Sequence, residues 1–318
     1  MDSTFVVGID VGGQTSKIGV VNARGTVLAQ TVIRTDTYDQ VQPYIAELAD
    51  AVKKLIAEAG VEGKVRGIGV GAPNGNYYTG TIENAPNLLW GRQRVEFAKL
   101  LSEAMGGFPV ALTNDANAAA VGEMTYGAAR GMKNFIMITL GTGVGSGIVI
   151  NGEVVYGHDG FAGELGHTAA VHNNGRTCGC GKTGCLETYA SATGVARTAR
   201  EWLELSDEPS LLRNLDTIAS KDVYEAAKEG DKLALKIFEC TGKILGRSFA
   251  DFIAFSAPEA IVLFGGLARA KEFLTGPIEE SMNANVLPLW RNKVKVVYSE
   301  LKESDAAILG ASALAWEL

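Results

Sequence analysis

Residues Phe5–Val21 read F-V-V-G-I-D-V-G-G-Q-T-S-K-I-G-V-V, and the pattern returns over Phe135–Ile150 as F-I-M-I-T-L-G-T-G-V-G-S-G-I-V-I. Each stretch predicts a buried strand, a glycine-rich turn and a returning strand, closed by an Asn-turn at Asn22–Gly25 or Asn151–Gly152. The recurrence is one of pattern, with little residue identity. It implies two related α/β lobes, each presenting a glycine turn, with a cleft between them. Between and beyond the repeats, strands are expected at Thr26–Ile33, Val65–Val70, Val110–Thr113, Ala260–Leu263 and Val294–Tyr298. Helices are expected at about 39–59 (apolar Val41, Ile45, Leu48, Val52, Leu55 and Ile56, closed by Gly60), Val95–Met105, from Asp115, Ser191–Leu205, Ser220–Glu229, Asp231–Phe255 and from about Ser304. Alternating strands and helices argue for parallel or mixed sheets covered by helices.

The chain of 318 residues is longer than one ordinary domain, so two lobes are expected. A formal net charge of -7 gives nucleic-acid binding no electrostatic support. No apolar run approaches the ~20 residues of a membrane span. Met1 leads to the apolar strand at Phe5 without a basic segment or cleavage site, so no secretory leader is expected. Three of the four cysteines are clustered and the fourth, Cys240, lies on an apolar helix face, which indicates a reducing, cytoplasmic compartment.

Glycines in D-V-G-G-Q-T-S-K (Asp10–Lys17) and G-T-G-V-G (Gly141–Gly145) free backbone N–H groups to face phosphate oxygens, and Thr15 and Ser16 add hydroxyl donors. Two facing turns of this kind make a clamp. Neither has the G-K-[ST] ending of a P-loop or the G-x-G-x-x-G spacing of a dinucleotide fold. Asp10, at a strand end, is placed to hold Mg²⁺ through water. T-N-D-A-N (Thr113–Asn117) offers helix caps, and also a carboxylate at a strand end where a general base would act on a hydroxyl. L-F-G-G (Leu263–Gly266) ends a strand with a glycine pair over which a base or ribose could lie.

G-E-L-G-H (Gly163–His167) is followed by C-G-C-G-K-T-G-C-L-E (Cys178–Glu187). Cys178, Cys180 and Cys185 have metal-ligand spacing, and a tetrahedral site needs a fourth ligand, for which spacing permits His167 or His172. Glu164 and Glu187 are more than a structural metal loop requires. His158, beside Asp159, reads as a surface turn residue.

These motifs, in this order and over essentially the whole chain, resemble the ROK family (repressor, open reading frame, kinase), and within it the bacterial glucokinases. The resemblance implies a two-lobed actin-like (ribonuclease H-like) ATPase fold with an interlobe cleft. The smaller lobe would hold residues 1–113 with the C-terminal helix at about 304–318, and the larger lobe 114–303 with the zinc loop. It implies phosphoryl transfer from ATP to the 6-hydroxyl of a hexose, with Asp115 as general base. Glucose comes from overall similarity; fructose, N-acetylmannosamine and N-acetylglucosamine are the alternatives. Asn114, Asp115, Glu164, His167 and Glu187 would bind the sugar. Gly12, Gly13, Gln14, Thr15, Lys17, Gly141, Thr142 and Gly143 would cradle the phosphates, with Mg²⁺ near Asp10 and adenosine over Gly265 and Gly266. The family resolves the fourth zinc ligand as His167, giving a closed, structural Cys₃His site with Cys178, Cys180 and Cys185. Family members are commonly dimers or tetramers, so a homodimer or homotetramer is expected, with neither nucleic acid nor membrane as partner.

Two residues depart from the family pattern. Gln14 stands where threonine is usual after the glycine pair, which bears on the phosphoryl donor. Asn74 stands where glycine is common, which bears on hexose choice. Two other classes fit the residues less well. Repressors of the family carry a winged-helix segment before the glycine hairpin, and only four residues precede Phe5 here. An actin-like assembly protein would share the nucleotide clamp but would not need Glu164, Glu187 or the cysteines.

Overall fold

The computed structural model describes residues 4–318, so the expectation attached to Met1 lies outside the described residues. The chain divides into two compact units. The first contains the chain up to Met132 together with Gly152–Gly163 and Glu300–Leu318; the second contains Lys133–Asn151 and Glu164–Ser299. The division expected between 113 and 114 therefore falls inside the first unit, because the strand ending at Asn114 runs directly into the helix that starts at Asp115.

In the first unit β1 (Phe5–Val11), β2 (Thr15–Asn22) and β3 (Val27–Arg34) are followed by α1 (Val41–Glu58) and β4 (Val65–Ala72). Then come the short pair β5 (Gly75–Asn76) and β6 (Thr81–Ile82), α2 (Phe97–Ala104), β7 (Val110–Asn114) and α3 (Asp115–Tyr126). The sheet order is β3-β2-β1-β4-β7, with β1, β2 and β3 antiparallel and β1, β4 and β7 parallel. One face of α1 buries Tyr44, Leu48, Val52 and Leu55 against Val7, Ile9, Ile68 and Val70 of the sheet. Beneath the first glycine turn, the buried Ser16 hydroxyl bonds both Tyr44 (2.7 Å) and Thr35 (2.8 Å). That network fixes the start of β2 at full satisfaction of its buried hydroxyls.

The second unit repeats this arrangement. It contains β8 (Phe135–Leu140) and β9 (Val144–Ile150); the two-residue β10 (Glu153–Val154) belongs to the segment counted with the first unit. After the cysteine loop come α4 (Glu187–Ala190), α5 (Ala192–Leu205), α6 (Ser220–Lys228), α7 (Lys232–Ser256), β11 (Ala260–Phe264), α8 (Lys271–Asn285) and β12 (Lys295–Tyr298). Strands β9-β8-β11-β12 pair antiparallel, parallel and parallel, as do β2-β1-β4-β7 in the first unit. The repeat read from the sequence is thus a repeat of topology. The second glycine turn is shorter than expected: only Gly141–Gly143 turn, while Val144–Gly147 already pair with β8.

The chain ends in α9 (Glu303–Leu314), which returns to the first unit. Its seat is made by glycines alternating along β4 and β1. A methyl group on Gly69 would lie 1.9 Å from the Ala311 carbonyl oxygen, and one on Gly8 2.1 Å from that of Ile308. Helix backbone therefore rests directly on strand backbone. Among the described residues no helix is long and apolar enough to cross a membrane. Gly69→Ala should lower the stability of the protein by ~2 kcal/mol or more in urea denaturation, because neither backbone can yield. A change within a few tenths would show that α9 does not bed on this face.

Candidate functional site

In the first unit the parallel strands β1, β4 and β7 end at one sheet edge. Asp10 is paired in register with Gly71, Gly71 with Thr113, and Ala72 with Asn114. Gly71 has no side chain to intervene; a methyl there would already be 3.6 Å from Asp115 Cα and 3.2 Å from Ala118 Cβ. Asp10 and Asp115 consequently feel each other across β4. Burial first, and then the Asp115 charge, push the Asp10 carboxyl up to about 6, while Lys17, its cross-strand partner, pulls the other way. Asp115 stays open to solvent, yet the protein packed around it raises its carboxyl above the ordinary range, against a hydrogen bond from the Ala116 N–H. The charge of Asp115 acting on the buried Asp10 makes this an electrostatic site that a divalent cation would relieve.

Asn114 is first of all a cap. Its Oδ1 accepts the Ala116 N–H at 2.8 Å, as Asp115 Oδ1 also does, so the N-terminus of α3 holds both side chains in place. The amide Nδ2 of Asn114 is the group it has left to offer a ligand. In the first glycine turn, the Gly12 N–H bonds the Thr15 carbonyl at 3.1 Å, and Gly13 abuts the Asn87 carbonyl so closely that a methyl would lie 2.8 Å from it. Gln14 has an exposed side chain, and its carbonyl accepts the Thr35 N–H at 2.8 Å. Asn74, where glycine is usual, has φ 51° and donates from Nδ2 to the Glu83 and Asn84 carbonyls, each at 3.0 Å. Asparagine tolerates the left-handed region that glycine would otherwise supply, so the departure keeps the turn and pins it.

In the second unit β8 and β11 also end together, with Phe264 paired to Thr139. Gly265, at φ 105°, follows β11 and packs against the Leu140 carbonyl; Gly141 follows β8. The carbonyls of Gly141 and Thr142 are bonded by the Ala192 N–H and the Thr193 hydroxyl, each at 2.8 Å, at the start of α5. With these carbonyls committed, and the Gly141 N–H donated to the Gly143 carbonyl at 3.0 Å, the turn offers a ligand the amides of Thr142 and Gly143. Methyl groups on Gly141 or Gly266 would meet no protein atom within 4 Å, so the space beside these glycines is not filled by the protein's own packing. Such a cradle fits nucleotide phosphates and sugar.

His167, Cys178, Cys180 and Cys185 bring one ligand atom each to within 4.8 Å of one another, and His172 stays outside the group. Cys178 Sγ is 3.7 Å from His167 Nδ1, and Cys180 Sγ is 3.7 Å from Cys185 Sγ. A tetrahedron with metal–sulfur bonds of about 2.3 Å has sulfur–sulfur edges of about 3.8 Å, so the set is dimensioned for zinc. Burial and the neighbouring Cys180 and Cys178 push the Cys185 thiol up to about 12, whereas the Lys182 N–H draws Cys180 down. The loop is closed by bonds from Cys178 N–H to Lys182 O (2.8 Å) and from Lys182 Nζ to His167 O (2.7 Å). Glu164 is exposed and starts the single 3₁₀ turn that carries His167. Glu187 Oε2 accepts the Val144 N–H at 3.0 Å, while its Oε1 lies 3.7 Å from Cys178 Sγ. His158 is an exposed turn residue, as expected.

Arg176 escaped the sequence reading. It lies two residues before Cys178 with a side chain only 9% exposed, bonds the Thr188 carbonyl (2.7 Å) and Thr198 Oγ1 (2.9 Å), pairs with Glu201 (2.5 Å), and lies over the Tyr189 ring. It anchors the base of the cysteine loop to α4 and α5. An arginine close to a metal-ligand run was the only available signal.

The Asp10 carboxyl generates a pH prediction. Between about pH 4 and pH 6 the folded protein keeps a proton that the unfolded chain has released, so stability falls as pH rises through this window and levels off above it. The shift corresponds to about 3 kcal/mol. Asp10→Asn should remove that fall, and the difference between wild-type and variant denaturation curves at pH 4 and pH 7 measures it. Parallel curves would contradict the placement of Asp10.

The chain is 38% identical over 315 residues to a glucokinase of Halalkalibacterium halodurans, covering 98% of this chain and 94% of the relative. A solved ROK family glucokinase from Streptomyces griseus, in complex with glucose and AMPPNP, superposes with a TM-score of 0.79 at 32% identity, covering 99% of this chain and 100% of that one. A solved ROK family transcriptional regulator, described as a homologue of the E. coli MLC protein, gives a TM-score of 0.88 at 28% identity, covering 98% of this chain and 78% of that one. The ROK family model matches residues 6–317, and the chain belongs to the ROK family.

Proposed function

We propose that this protein is a sugar kinase that transfers the terminal phosphoryl group of ATP to the 6-hydroxyl of a hexose, with glucose as the substrate. The observation that carries the reading is Asp115: a solvent-accessible carboxylate of raised basicity, fixed by its own helix N-terminus at the end of a parallel strand. An alcohol is a poor nucleophile at neutral pH, and a carboxylate of raised pKa is the base suited to it. The similarity to glucokinases over nearly the whole chain supports glucose and ATP as substrates.

In this reading Asp115 takes the proton as the hydroxyl attacks phosphorus. Asn114, through its Nδ2, and Glu164, His167 and Glu187 hold the other hydroxyls. The amides at Gly13, Gln14, Thr142 and Gly143, with Gly12, Thr15, Lys17 and Gly141 beside them, receive the phosphates, and the adenosine lies against Gly265 and Gly266. Mg²⁺, bound near Asp10, would neutralise the phosphate charge. Zinc, held by His167, Cys178, Cys180 and Cys185, would be structural, since four protein ligands leave no open position. Positioning and charge neutralisation supply most of the rate enhancement in phosphoryl transfer.

The likeness to a transcriptional regulator supports a second reading, a sugar-binding protein without catalysis. One experiment separates the two. ADP release is measured across a panel of glucose, fructose, N-acetylmannosamine and N-acetylglucosamine with ATP, with polyphosphate as an alternative donor assayed by sugar phosphate formed. Sugar-dependent ADP release is expected, strongest with glucose, and Asp115→Asn should lower kcat by ~100-fold or more. Sugar binding without turnover would establish the second reading, and an Asp115→Asn variant of near wild-type activity would remove the general base.

A further inference from the structure

Both arms of the cysteine–histidine cluster converge on one residue, Val144, directly after the Gly141–Gly143 turn. From one side Glu187 Oε2 accepts the Val144 N–H at 3.0 Å. Glu187 stands two residues after the ligand Cys185, and the intervening Leu186 is buried and donates its N–H to Thr168 at 3.0 Å, so the cysteine loop sets where Glu187 sits. From the other side Gly166, one residue before the ligand His167, is seated on the Val144 carbonyl so closely that a methyl would lie 2.0 Å from that oxygen. The neighbouring Leu165 N–H donates to Ser146 Oγ, on the same strand, at 3.0 Å. Gly143 itself is pressed against the arm: a methyl there would lie 2.3 Å from Glu187 Oε2. The backbone of Val144, held at its N–H and at its carbonyl, cannot shift without moving the turn before it or the ligands behind it.

The geometry points to a mechanical coupling between the metal loop and the glycine turn, with Glu187 as its positioning residue. Metal in the cluster holds the turn in the shape that receives phosphate, and a phosphate-bearing ligand on the turn in turn slows loss of the metal. This rests on the proposed binding of nucleotide phosphates at Gly141–Gly143, but the contacts with Val144 do not depend on it. Glu187 thus acts on the nucleotide even when no sugar is present, which a residue that only contacts sugar would not do.

Reciprocity gives the test, because any effect of metal on nucleotide affinity must equal the effect of nucleotide on metal affinity. Zinc is quantified in freshly purified protein, and its release to a chelating indicator dye is followed without sugar, with and without AMPPNP. Saturating AMPPNP should slow release and, by competition with the dye at equilibrium, tighten zinc binding by ~5-fold or more, and zinc removal should weaken AMPPNP binding by the same factor as that change in zinc affinity. Gly143→Ala, whose methyl intrudes on Glu187, should speed zinc release from the free protein by ~5-fold or more and abolish the protection. Glu187→Ala should do the same without adding bulk, and Glu187→Gln, which keeps an oxygen for the Val144 N–H, should restore most of it. Gly141→Ala, whose methyl meets nothing, should release zinc at the wild-type rate. Wild-type release rates in folded Gly143→Ala and Glu187→Ala would overturn the coupling, as would purified protein free of zinc. If wild type fails to bind AMPPNP, the phosphate reading of the turn is lost, while the release rates of the variants still decide the coupling.

Discussion

Parallel strands end together, and in each unit that edge gathers the groups with chemical potential. In the first, β1, β4 and β7 bring Asp10, Asn114 and Asp115 to one edge, and Gly71 keeps the strand between them bare. In the second, β8 and β11 end beside each other, so that Gly141 and Gly265 follow from adjacent strands. A hairpin alone would have left each glycine turn as a loop. The parallel neighbours convert it into an edge with a carboxylate or a second glycine next to it, the position where open α/β sheets receive ligands.

The cysteine loop adds a different kind of order. Three thiols and an imidazole within 4.8 Å are held by backbone bonds of the loop, by Lys182 and, at its base, by Arg176. The ligand spacing suits a closed tetrahedral site, in which a metal would shape the loop and leave the chemistry to other groups. Glu187 ties the two together, since one carboxylate oxygen accepts the Val144 N–H and the other faces the Cys178 thiol at 3.7 Å.

Much of this was legible in the residues. Apolar runs interrupted by glycine placed the strands within a few residues, and helical spacing placed α1, α5, α6 and α7, because burial on one face is a local pattern. The repeat was legible as pattern and proved to be topology, four strands in the same order and directions. Other features need contacts distant in sequence. Glycines alternating along β4 seat α9, which is more than 230 residues later, so R-G-I-G-V-G looked like an ordinary buried strand. Gly145 and Gly147 looked like part of a turn, although pairing with β8 makes them strand. The single turn of α4 is too short to show a period. The choice between His167 and His172 could not come from spacing; folding of the loop separates them. Asn114 is the cap that the T-N-D-A-N run offered.

The central claim, that this chain phosphorylates a hexose at its 6-hydroxyl, is tested most directly by identifying the atom that receives the phosphate. Glucose, ATP and Mg²⁺ are incubated with the zinc-loaded protein, and the products are followed by phosphorus–proton correlation in solution NMR. The expected result is a new phosphomonoester whose phosphorus couples to the two protons on C6, appearing in step with ADP. Phosphorus recovered as inorganic phosphate with the sugar unchanged, or coupled to a proton on another carbon, would contradict it.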